Sequence, residues 1–201
     1  MTRMPPADAE LSPRRQQLVD AAIRVVARGG LRGLTHRAVD AEAGLPEGSA
    51  SAYLRTRLAL LTALVEHVSR TLQADLAATT AHLADDAQPA DVNACVVNLL
   101  VRWTEQPELM VVRAELMLEA MRQPELMAAY RPWRDGLVAL VEATIRAHGR
   151  DDPEGRARAV VAALEGVLTS SLLQPEAERP AYLRRTGSMV LASLAAYEPG
   201  G

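Results

Sequence analysis

No stretch of this chain alternates apolar and polar residues with period two for long enough to make a β-strand. Its apolar residues instead recur at helical spacing from one end to the other, which restricts the fold to packed helices. The composition agrees. Aromatic residues make up 3% of the 201 residues and Phe is absent, so Leu, Val, Ala and Met must fill the core. Ala, Leu and Met lose little rotamer freedom in a helix.

Local stop and start signals divide the chain into about nine helices. Ser12 and Pro13 form an N-cap followed by Pro at the first helical position. Leu18, Ala21, Ala22, Val25 and Val26 then share one face of a helix over Arg14–Arg28, which Gly29-Gly30 ends. Thr35 is placed to cap a short second helix reaching Ala43. Gly44 makes a turn, and a third helix is expected over Pro46–Tyr53. Thr56 opens a fourth, long helix from Arg57 to about Leu83. The spacing predicts further helices over Asp91–Glu105, Pro107–Arg122, Pro124–His148 with a bend at Pro132, Pro153–Leu173, and Ala181–Tyr197. The similar segments at 106–110 and 123–127 read as two like helix starts.

Several function classes drop out. Cys95 is the sole cysteine, so no intramolecular disulfide can form, and its apolar helical setting marks it as a small core residue. The first fifteen residues lack the apolar stretch of a signal peptide, and no window approaches the roughly 20 apolar residues that span a bilayer. A soluble, cytoplasmic protein without membrane association is expected. His36, His67, His82 and His148 show no metal-ligand spacing, and no phosphate loop or nucleophile elbow occurs. Glu115 and Glu119 lie one turn apart, an arrangement more often a solvated face than a catalytic pair. An all-α enzyme is the weakest reading, and no cofactor is expected.

The net charge of −3 conceals an asymmetry. Residues 1–57 hold nine Arg against six acids, a net +3, whereas the remainder holds thirteen Arg against nineteen acids, a net −6. The phosphate-attracting part is therefore N-terminal. There, a helix, Gly turn and helix follow a first helix, and a second helix in such a unit fits the DNA major groove.

The stretches LVDAAIRVVARGGLRGLTHRAV and AEAGLPEGSASAYLRTRLALLTAL resemble the N-terminal region of TetR family transcription regulators. The resemblance rests on Ala21-Ala22, Gly30, Thr35, Ala43-Gly44-Leu45, Gly48-Ser49, Tyr53 and Arg57. Departures are Ser51 for the usual Tyr, Leu54 for Phe, Leu58 for Glu, Asp40 for a small apolar residue, and Glu47 for a basic or polar one. The resemblance implies an N-terminal helix-turn-helix DNA-binding domain over 12–56, preceded by an arm at 1–11. A helical ligand-binding and dimerisation domain over 57–201 would follow. It implies double-stranded operator DNA as a partner, and repression relieved by a small-molecule effector. An adaptor with a degenerate helix-turn-helix is the alternative.

On this reading Thr35 offers a phosphate its hydroxyl and backbone N–H, or serves as a plain N-cap. His36 and Arg37 lie on the exposed first turn, where Arg37 grips a phosphate or a guanine edge, or is simply solvated. Gly48 admits close approach, Ser49 and Ser51 hydrogen-bond bases or phosphates, and Tyr53 and Arg57 clamp phosphates. In the C-terminal part, Met110, Met117, Met121 and Met127 interleave with Trp103, Trp133 and charged residues. Core packing accounts for much of that pattern, but an adaptable apolar cavity is also built this way. Trp103, Met110, Arg113, Met117, Trp133 and Leu137 are the candidate effector contacts. The last two helices, rich in Ala, Gly and Ser, are expected to pair two copies as a four-helix bundle. A homodimer would present two recognition helices to a palindrome.

Overall fold

The computed structural model describes residues 12–81 and 88–196. Among them are nine α-helices, one 3₁₀ turn and no strand. The helices are α1 (Pro13–Gly33), α2 (His36–Ala43), α3 (Ser49–Tyr53), α4 (Arg57–Thr80), α5 (Pro89–Thr104), α6 (Pro107–Ala120), α7 (Pro124–Ala147), α8 (Pro153–Ser171) and α9 (Arg179–Ala196). The expected arm at 1–11, Leu83 at the end of the fourth helix and Tyr197 at the end of the ninth lie outside the described residues.

Most boundaries follow the local signals. Ser12 accepts from the Arg15 N–H and Thr35 from the Ala38 N–H at 3.1 Å, so both act as side-chain caps. Thr56 accepts from the Ala59 N–H at 3.0 Å and opens α4 in the same way. Asp152 caps α8 through the Gly155 N–H at 3.1 Å. The like segments near 106 and 123 do begin α6 and α7, and α7 continues through Pro132.

Two boundaries differ from expectation by more than two residues, each because of glycine geometry. Helix α1 kinks at Gly30, whose φ of 63° and ψ of −177° fall in a region nearly closed to other residues, and one further turn follows before Leu34. Helix α3 begins at Ser49 rather than Pro46, because Gly48 has a φ of 94° and cannot lie inside a right-handed helix.

The described chain forms two compact units. The first holds residues up to Leu72 together with Glu108–Pro132; the second holds Gln73–Pro107 and the residues from Trp133 on. In the first, α1 packs on α2 and α2 on α3. Leu18, Ala22 and Val26 of α1, Leu34, Val39, Ala50, Leu54, and Leu60, Leu61 and Leu64 of α4 are all buried there. In the second, α9 packs on both α5 and α8. Val138, Ala157 and Val161 form a further cluster against which Leu137, Val141 and Ile145 pack.

Candidate nucleic-acid interface

Helix α2 is tied to α1 before it meets α3. Arg24 donates to Glu42 at 2.7 Å and Arg28 pairs with the other Glu42 oxygen, while the Gln17 amide donates to the Ala43 carbonyl at 3.0 Å. The two guanidiniums hold the Glu42 carboxyl below the usual carboxylate range. The helix then ends at Gly44 in a Schellman turn, with the Leu45 N–H donating to the Asp40 carbonyl and the Gly44 N–H to that of Ala41.

From that turn the chain enters α3, whose inner face is Ala50, with Leu54 just beyond; both are buried. Its outer face carries Ser51, Ala52 and Tyr53, the last 52% exposed. Ser49 is half-buried and donates its hydroxyl to the Pro46 carbonyl at 2.7 Å; Ser51 donates to that of Gly48 at 2.9 Å. Each hydroxyl oxygen keeps acceptor capacity for a base donor. Thr35, Arg37, Glu47, Gly48, Arg55 and Arg57 are exposed around this face.

Two further sequence-selected residues bond to distant parts of the chain rather than to their own turn. The His36 Nε2–H donates to the Leu54 carbonyl; since that partner is an acceptor, Nε2 carries the proton. Arg57 donates from Nη1 to the Leu34 carbonyl and from Nη2 to that of Leu31, both at 2.6 Å. Asp40, a departure at the level of sequence, is 3% exposed and accepts from the Gly48 N–H at 2.8 Å and the Ala50 N–H at 2.6 Å. The signal that could have flagged it is the preference of Asp for capping helix N-termini, here exercised from a neighbouring helix. Leu54, another departure, is buried in the core.

The six candidate effector contacts divide evenly. Met110, Arg113 and Met117 belong to the first unit, and Trp103, Trp133 and Leu137 to the second. Trp103, Met110, Arg113 and Trp133 are buried, with Met117 and Leu137 half-buried. The Trp103 indole N–H is buried with no acceptor in the described chain.

A long first helix followed by two short ones, the last with an exposed outer face, is the arrangement of a helix-turn-helix regulator. Residues 87–194 match the family described as tetracyclin repressor-like, C-terminal domain. A TetR family member from Streptomyces coelicolor is similar at 32% identity and a TM-score of 0.68, over 87% of this chain and 98% of that one. The multidrug binding protein EbrR, complexed with malachite green, is similar at 30% identity and a TM-score of 0.72, over 90% of this chain and 98% of that one. A transcriptional regulator from Rhodococcus shares the fold at 20% identity and a TM-score of 0.79, over 90% and 95%. No curated protein sequence matches significantly. The chain belongs to the TetR family; it is a transcription regulator and not an enzyme.

Proposed function

We propose that the chain is a cytoplasmic repressor that holds operator DNA through residues 12–56 and releases it when residues 57–201 bind a small organic effector. The observation that carries the DNA half is the exposed face of α3, with Ser51, Ala52 and Tyr53 outward over buried Ala50 and Leu54. Gly48, Ser49, Ser51 and Tyr53 read or approach the groove, and Thr35, Arg37 and Arg57 meet phosphates. The N-terminal excess of Arg supports the same orientation. No described helix is long and apolar enough to cross a membrane.

Support for the effector comes from the similarity to EbrR, solved with malachite green, ethidium and proflavin. Within this chain, the buried Trp103 indole N–H is a donor suited to a ligand acceptor. Dimerisation through α8 and α9 is supported by an exposed stripe on α8, namely Ala162, Gly166 and Thr169, continued by exposed Leu173 just past its end, and by Met189 of α9, 64% exposed. An effector works only if it prefers the state that does not bind DNA, and α4 is the proposed lever.

The test is an anisotropy titration of the full chain against duplexes from the DNA upstream of its own gene, with and without ethidium or malachite green. Specific binding at least a thousandfold tighter than to random duplex is expected. A wild type indifferent to sequence would sink the DNA half. If no small molecule of any class weakens specific binding, the regulator is constitutive and the effector half fails.

A further inference from the structure

We propose that His36 and Asp40 form a bracket on α2 that sets the pose of α3, making selective DNA binding depend on two residues that touch no DNA. This rests on the reading of α3 as the DNA-contacting helix. The need for such a device lies in the length of α3, which spans Ser49–Tyr53 only. So short a helix is not stable alone, because nucleation costs more than one turn of hydrogen bonds returns. Its own N-cap, Gly48, supplies no side-chain hydrogen bond.

The stabilising groups come from the neighbouring helix. His36 and Asp40 stand four residues apart on α2, so they share one face. Asp40 takes the N-terminal pole, its two oxygens accepting the Gly48 and Ala50 N–H groups that have no partner inside α3. A carboxylate at that end also opposes the helix dipole. His36 takes the opposite pole, donating to the carbonyl of Leu54 directly after the helix. The chemistry matches end for end, an acceptor at the donor pole and a donor at the acceptor pole. Asp40 is buried and the His36 Nε2–H is spent, so both act through the orientation of Ser49, Ser51 and Tyr53. They are positioning residues.

The test uses the full chain with Asp40→Asn, His36→Ala and His36→Gln, read by two measurements. In the DNA titration, Asp40→Asn and His36→Ala are expected to lose about tenfold or more in specific affinity, with the salt dependence unchanged. His36→Gln keeps a donor and recovers most of the loss. In amide hydrogen exchange without DNA, Gly48 and Ala50 lose protection in Asp40→Asn while amides of α8 and α9 keep theirs. Wild-type affinity in folded Asp40→Asn and His36→Ala would overturn the proposal, as would a salt slope lowered by about one, the mark of a direct phosphate contact. Unchanged protection at Gly48 and Ala50 overturns it whatever the DNA shows. Lost protection in a protein whose wild type ignores DNA sequence removes the DNA reading and leaves the bracket standing. If Asp40→Asn does not fold, the His36 pair decides.

Discussion

Arg57, the first residue of α4, donates from Nη2 to the carbonyl of Leu31 at 2.6 Å. Its other terminal nitrogen reaches the Leu34 carbonyl, so one planar guanidinium spans the last turn of α1. The Leu31 N–H is held as well, by the Glu115 carboxylate of α6 at 3.4 Å. Leu31, the residue after the Gly30 kink, is therefore held on both sides, its N–H by α6 and its carbonyl by α4. That geometry leaves Arg57 a structural task alongside any phosphate contact.

Replacing Arg57 separates the two tasks. Lys keeps the charge but cannot reach two carbonyls in a planar fork, so Arg57→Lys should cost about 1–2 kcal/mol in urea unfolding. Arg57→Ala should cost at least as much and also flatten the salt dependence of DNA binding by about one phosphate contact. Unchanged unfolding in both variants would mean that the carbonyl grip contributes nothing. An unchanged salt slope in Arg57→Ala would remove it from the phosphate contacts.

At Gly30 the expected difficulty is backbone strain rather than crowding. A Cβ there would lie 3.6 Å from the nearest Glu115 oxygen, an ordinary contact, whereas φ 63° with ψ −177° is a conformation open to little but glycine. Gly30→Ala and Gly30→Asn should each lose about 1–3 kcal/mol. Asn tolerates the left-handed helical region but not this one, so a stable Asn variant in thermal unfolding would contradict the assignment.

Acid should loosen the joint between α1 and α2. Bonding to Arg24 and Arg28 lowers the folded pKa of Glu42, so the contribution is complete above the ordinary carboxylate value and is lost as pH falls through the lower folded one. The melting temperature of wild type should exceed that of Glu42→Gln near neutrality, and the gap should close as pH falls through that window. A gap that stays constant into strong acid would show that ionisation of Glu42 is not what holds the joint.

Association through α8 can be tested by charge. A Cβ built on Gly166 meets nothing within 4 Å, so Gly166→Arg should be harmless to the folded subunit. On the proposed interface, however, it would bring two unpaired guanidiniums into the pairing surface. Sedimentation of wild type as a dimer and of Gly166→Arg as a folded monomer is expected. A variant that stays dimeric places the interface elsewhere.

Helix existence and most helix ends are legible in the residue order, since Ser12, Thr35 and Thr56 act on N–H groups three residues away. Glycine ends were legible only in part. A Gly announces a break, but whether it closes a helix, as at Gly44, or delays one, as at Gly48, depends on a dihedral that composition does not specify. The candidates Thr35 and Tyr53 come from the resembling motif, and Arg37 and Ser51 from their places on the second and third helices; all four are exposed. Arg57 comes from the motif and His36 from the first turn of the second helix, yet their bonds to Leu31, Leu34 and Leu54 left no trace in the pattern.

The residue order alone thus carried the all-helical class, the order of the helices and their caps, because those depend on interactions within one or two turns. Packing of the head assigned the partners of Asp40, Arg57 and Glu115, which lie 8 to 84 residues away along the chain. Such bonds form only when separate helices have docked, and a buried carboxylate looks like a misplaced charge until the N–H groups that satisfy it are in view.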